Sequence, residues 1–208
     1  MLTVYGRATS LNVQAVMWGL AELGLEAERI DAGFGFGGTD TPEYRAMNPN
    51  GLVPVLRDEH VTMFESAAIL RYLAARYGQS PFWPEDPVAR APVDMWAEWG
   101  KVTLQANFLG AVFHPVLGGG VPEEKGRAAL DKHLGILEAQ LGPGPWLLGD
   151  DFTLADIEVG LPLYRYFTLG IERRDWPAVA AYFERLCDRP RFAEHVMIDY
   201  HHLAAMVR

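Results

Sequence analysis

The chain has a single cysteine, Cys187, among its 208 residues. An intramolecular disulfide is therefore impossible, and so is a Cys-x-x-Cys redox centre. Cys187 falls in a helical pattern with Val179, Tyr182, Phe183 and Leu186, the setting of a packing residue. Long apolar runs are also missing, since none approaches the roughly 18 residues that a membrane span takes. Positive charge is scarce, with 18 Lys and Arg against 27 Asp and Glu. The resulting net charge of −9 argues against nucleic acid as a partner, which needs a basic face. Histidines are few, and His60, His114 and His133 are scattered. His195, Asp199, His201 and His202 gather late in the chain without the spacing of metal ligands, so no metal is expected.

What is present is an ordinary globular composition, 50% hydrophobic and 22% charged, long enough for one large domain or two small ones. The start, Met1 to Tyr5, reads as a strand rather than a signal peptide, and a cytoplasmic location is the expectation. Val13, Val16, Met17, Leu20 and Leu23 then recur at helical spacing, and Gly24 is a natural stop. Ala27 to Ile30 reads as a second strand. After the loop Asn48-Pro49-Asn50-Gly51 come two short apolar runs, Val53–Leu56 and His60–Met63, separated by Arg57-Asp58-Glu59. A helix from about Glu65 to Tyr77 closes this unit. Residues 78–87 hold three prolines, Pro81, Pro84 and Pro87, which no helix tolerates in its interior. Beyond them every strong pattern is helical, over about 87–117, 122–141, 153–168 and 176–187, with a short piece after Pro190. Thr153-Leu154-Ala155-Asp156 fits a capping box.

Gly33-Phe34-Gly35-Phe36-Gly37-Gly38 matches the dinucleotide fingerprint, but that fingerprint must open a long helix. Here Thr39-Asp40-Thr41-Pro42 intervenes, and Pro49 and Gly51 end any helix soon after. No nucleotide is expected, and the segment reads as a loop at the mouth of a site.

Three short motifs carry chemistry. Val53-Pro54 follows a tight loop, where proline cannot donate to a sheet and the bond is a candidate for the cis form. That leaves the backbone of Val53 free to pair with an extended ligand. Glu65-Ser66 stands at a helix N-terminus, where free N–H groups and the helix dipole favour an anion. Ser10-Leu11-Asn12 lies between the first strand and the first helix. Ser10 is there a natural N-cap by residue type.

In this order and spacing the motifs resemble the N-terminal domain of the glutathione S-transferase family, in its bacterial Ser-type, theta- or phi-like form. The resemblance runs over nearly the whole chain. It implies an α/β thioredoxin-like N-terminal domain over 1–78, a linker over 79–86 and an all-α C-terminal helical domain over 87–208. It implies glutathione as co-substrate, bound by Ser10, Asn50, Val53, Pro54, Glu65 and Ser66, with Val53 on the cysteinyl unit and Glu65 and Ser66 on the γ-glutamyl end. Ser10 would donate its hydroxyl to the sulfur, with Asn12 and then Thr9 as alternates. A small apolar electrophile would lie between the domains, near Arg7, Ala8, Trp96, Trp99, Phe108 and Phe113-His114-Pro115. A detoxifying homodimer is the expectation. Two departures stand out: Gly51 and Leu52 occupy positions where relatives often bind the glycyl carboxylate, and Ala67 follows Ser66 where many carry arginine. A non-catalytic ligand- or protein-binding relative, and a glutathione-dependent isomerase or dehalogenase, are the competing readings.

Overall fold

The computed structural model describes residues 1–207. Strand β1 (Leu2–Tyr5) leads into helix α1 (Leu11–Glu22) and strand β2 (Ala27–Ile30), which pairs parallel to β1 in the register Leu2 to Ala27. After a short 3-10 turn (Phe34–Phe36) and helix α2 (Pro42–Met47), strands β3 (Val55–Arg57) and β4 (Thr62–Phe64) complete a sheet of order β2-β1-β3-β4. β3 runs antiparallel to both neighbours, and α3 (Ser66–Tyr77) covers the sheet beside α1. This is the thioredoxin-like arrangement. The ladder begins at Val55 rather than Val53, so Pro54 stands just outside it, as its missing N–H requires.

The rest is helical. α4 (Pro87–Trp99) runs on without a break through a π-helical segment (Gly100–Gln105), α5 (Ala106–Phe108), a second π-helical segment (Leu109–Phe113) and α6 (His114–Leu117). Then follow α7 (Glu124–Gln140), α8 (Leu154–Gly160), α9 (Leu163–Thr168), α10 (Pro177–Cys187), α11 (Pro190–His195), a 3-10 turn (His201–Leu203) and α12 (Ala204–Val207). No helix among the described residues is long and apolar enough to cross a membrane.

α1 explains how the two parts join. Its apolar residues occupy most of its circumference, the mark of a helix buried on several sides. Val13, Val16 and Leu20 face the sheet with Val4, Leu56 and Ile69, while Leu11, Ala15 and Trp18 belong to the larger helical core. Gly24, at φ +68, turns the chain out of the helix. α8 is fixed by Asp156, which is fully buried. Its carboxylate accepts hydrogen bonds from Thr153 N (2.8 Å), Leu147 N (2.9 Å), Tyr182 Oη (2.9 Å) and Thr153 Oγ1 (3.1 Å). Replacement by alanine orphans these buried donors. Asp156→Ala should lower unfolding free energy by about 3–5 kcal/mol, read as a fall of roughly 6–20 °C in the melting temperature. A fall of only a degree or two would remove this anchoring role.

Candidate active site

The N-terminus of α1 opens onto a cavity of about 430 Å³ lined by Arg7, Thr9, Ser10, Leu11 and Asn12 and, from the helical part, by Leu109, Phe113, His114, Leu117, Arg165 and Leu203, with Phe34 at its rim. Ser10 is the N-cap of α1 by position, and its carbonyl accepts Gln14 N at 2.9 Å. Its hydroxyl makes no capping hydrogen bond among the described residues. A buried hydroxyl at a helix start, without that duty, is a donor in reserve. The first four N–H groups of α1 add a partial positive charge at the same place.

The helical part holds this turn on both sides. Arg165 Nη2 donates to the Thr9 carbonyl at 2.6 Å. Lys101 Nζ donates to Asn12 Oδ1 at 2.7 Å, and Gln105 Nε2 to the same oxygen at 3.0 Å. Because lysine can only donate, the Asn12 amide is oriented with Nδ2 as its remaining donor. Lys101 also donates to Ser66 Oγ at 2.8 Å, which leaves the Ser66 proton for another acceptor. The π-helical turns carry Lys101 and Gln105 to the same oxygen, and Gly100 is needed beside them. A Cβ on Gly100 would meet the backbone of Glu158 and Val159 at 2.9 Å.

Charge here opposes the molecule's overall sign. Burial pushes the Lys101 ammonium down, partly offset by Glu158, Glu65 and Glu98. Glu158 is itself fully buried, and neither carboxylate oxygen has a hydrogen-bond partner among the described residues. Burial pushes it up, with Lys101 and Arg71 pulling it back. Burial brings Arg165 down to about 10, so it is charged at neutral pH.

Val53, Pro54, Glu65 and Ser66 lie beside the cavity rather than in its wall. The Val53–Pro54 bond is cis. The preceding loop is braced by Tyr44 Oη and Asn48 Nδ2, each 2.8 Å from the Leu52 carbonyl. Gly6, at φ +150, lets Val53 come close, since a Cβ there would stand 3.0 Å from the Val53 Cβ. Asn50 spends Nδ2 on Asn48 Oδ1 at 3.0 Å, so only part of its amide faces outward. Arg45 stands against Gly51 in the same loop. Glu65 holds φ +70, a strained value for a residue with a side chain.

Three expected walls of the electrophile site are corrected. Trp96 and Trp99 pack edge to face against each other, with Trp99 against His133, and Phe108 is buried in the helical core. At these turns the continuous helix presents Leu109, Phe113, His114 and Leu117 to the cavity instead. Lys101, Gln105 and Arg165 were not visible as site residues. For Lys101 and Arg165 the one sequence signal is a cation set among apolar neighbours, as in Leu163-Tyr164-Arg165-Tyr166-Phe167.

Comparison with known proteins agrees with this geometry. The family model described as Glutathione S-transferase, N-terminal domain, matches residues 1–75, and the C-terminal domain model of the same family matches residues 106–185. Glutathione S-transferase GstB of Escherichia coli (strain K12) is 37% identical, over 95% of this chain and 99% of that protein. The theta class glutathione S-transferase of Xanthomonas axonopodis pv. citri, solved with glutathione bound, has a TM-score of 0.85 at 37% identity, covering 95% of this chain and 98% of that one. Elongation factor 1-gamma 2 of Oryza sativa subsp. japonica is 33% identical, over 73% of this chain but 38% of that longer protein. A thioredoxin-like sheet domain docked on a helical domain, with a cavity at the α1 N-terminus, defines a two-domain class of protein. Within it, the chain belongs to the glutathione S-transferase family.

The strained backbone at Glu65 makes a stability prediction. Glu65→Gly should raise stability by about 0.5–2 kcal/mol, because glycine tolerates the positive φ. Urea unfolding measures it, and a loss of stability would show that Glu65 is not strained.

Proposed function

We infer that the chain is a glutathione transferase in which Ser10 stabilises the glutathione thiolate for attack on an electrophile in the adjoining cavity. The observation that carries this is the Ser10 hydroxyl, free of a capping bond, at a helix start facing a cavity of about 430 Å³.

The magnitudes explain why such a group is needed. A free thiol has a pKa of about 8.5, so only about 3% is thiolate at pH 7. Lowering it to about 6.5 takes roughly 2.7 kcal/mol. A helix terminus supplies about 0.3–1 kcal/mol, and a hydrogen bond to a charged acceptor about 1.5–3 kcal/mol. The hydroxyl and dipole together suffice, and Arg7 and Arg165 add positive potential. Ser10 acts as a hydrogen-bond donor, and the thiol proton leaves to solvent. Catalysis then rests on thiolate formation and on positioning of the two reactants.

The rest of glutathione has matching groups along the sheet domain. The Val53 backbone, outside the β3 ladder, pairs with the cysteinyl unit beside Pro54. The γ-glutamyl carboxylate meets the α3 N-terminus and the Ser66 hydroxyl, whose proton Lys101 leaves free. Glu65 takes the amino group. Asn50 keeps part of its amide for the glycyl end, where Arg45 offers the opposite charge. In this scheme residues 1–78 bind glutathione, 79–86 link, and 87–208 hold the electrophile. A cytoplasmic homodimer is part of the same proposal, and the exposed Val88 and Met95, seven residues apart on α4, offer it an apolar face. A non-catalytic role is disfavoured by the cost of keeping buried cations around an idle site. Isomerase relatives carry a Ser-Ser-Cys-like start, whereas this chain reads Thr9-Ser10-Leu11.

Two outcomes are expected. Ser10→Ala should raise the pKa of the bound thiol by roughly one to two units while leaving glutathione affinity nearly unchanged. Turnover at pH 7 should fall about three- to twenty-five-fold and recover as pH rises, because the thiolate fraction, about three-quarters at a pKa of 6.5, drops to about a quarter at 7.5 and about 3% at 8.5. Thiolate absorbance near 240 nm follows the titration, and an unshifted curve would move the role to Asn12 or Thr9. Lys101→Met should weaken glutathione binding by about 1.5–3 kcal/mol in calorimetry. An unchanged affinity would separate Lys101 from the γ-glutamyl end.

A further inference from the structure

The cavity beside Ser10 has a mostly apolar wall, yet two arginines stand in it. Arg7 and Arg165 both line it, and neither pairs with a carboxylate among the described residues. Arg165 is only 4% exposed and uses one of its five N–H groups on the Thr9 carbonyl. Arg7 lies over the Phe34 ring at 4.3 Å, and its Nε is buried without a partner. The two charges are near enough to repel, and after burial Arg7 is a further cause of the fall at Arg165. Burial and Arg165 also push His114 down, so that ring adds no charge. A buried donor left without a partner among the described residues, beside two unbalanced cations, is destabilising unless an anion completes the site. The chain has 27 acidic residues and places none of them there.

We propose that the electrophile is a small apolar or aromatic molecule bearing a carboxylate. The carboxylate lies between the guanidinium groups of Arg7 and Arg165. The apolar body rests on Leu109, Phe113 and Leu117, with its reactive carbon toward Ser10. This rests on the glutathione transferase reading and narrows its substrate class. In the reaction the thiolate sulfur forms a bond to the carbon bearing the leaving group, the bond to that group breaks, and it departs with the electron pair.

The test uses 4-chloro-3-nitrobenzoate and 4-chloro-3-nitrobenzamide, which share a ring and a chloride leaving group and differ in charge. For each, kcat/KM is divided by the uncatalysed rate with glutathione. The wild type should favour the benzoate by about tenfold or more, and Arg7→Met and Arg165→Met should each cut that preference about ten- to a hundredfold. Arg165→Lys should retain most of it. Thermal melts check folding, and Arg7→Met, at the more exposed position, carries the test if Arg165→Met does not fold. An equal fall for both compounds overturns the proposal and assigns the arginines to the thiolate alone. So does a wild type with no preference for the benzoate, or one that binds glutathione in calorimetry and turns over neither compound. A wild type that does not bind glutathione overturns the transferase reading and this proposal with it.

Discussion

The turn from Thr9 to Asn12 is held by cations that come from the other domain. Arg165 takes the Thr9 carbonyl, and Lys101 with Gln105 takes the Asn12 side chain, so Ser10 between them is fixed without using its own hydroxyl. A donor locked in place by its neighbours can stabilise charge at little reorganisation cost. The same contacts tie the sheet domain to the helical domain at the point where two substrates have to meet. The π-helical turns and Gly100 serve this arrangement, since together they bring the Lys101 segment against α8 and across to α1 and α3.

Burying cations is unfavourable, and the structure shows three ways of meeting that. Lys101 is satisfied by neutral oxygens and has the buried Glu158 as a counter-charge nearby. Arg165 stacks over Phe113, with 4.6 Å from the guanidinium carbon to the ring centre, in addition to its carbonyl bond. Arg7 is left the least satisfied, with its Nε unpartnered. Asp156 offers a contrast, being more deeply buried yet saturated by hydrogen bonds. Saturated polar groups such as this one anchor the fold. The unpartnered Arg7 Nε stands in the cavity wall, where a ligand can reach it.

Much of this was legible in the sequence because it is local. The strand Ala27–Ile30, the helix stop at Gly24, the cap at Thr153 and Asp156, and the loop before Pro54 depend on residues a few positions apart. The false dinucleotide motif was also excluded locally, since α2 is only six residues long. The electrophile wall was not legible. Trp96 and Trp99 precede the π-helical segments and Phe108 lies between them, so no single helical count along 87–117 relates them to Leu109, Phe113 and Leu117 at the cavity. Lys101 and Arg165 were missed because their partners are Asn12 and Thr9, 89 and 156 residues away.

The central claim is that Ser10, held by the helical domain, receives the glutathione sulfur. A crystal structure of the chain with glutathione bound tests it most directly. The sulfur should lie within about 3.5 Å of Ser10 Oγ, with Arg165 still on the Thr9 carbonyl and Lys101 still on Asn12. A sulfur at that distance from Asn12 Nδ2 or Thr9 Oγ1, with the Ser10 hydroxyl turned away, would contradict it.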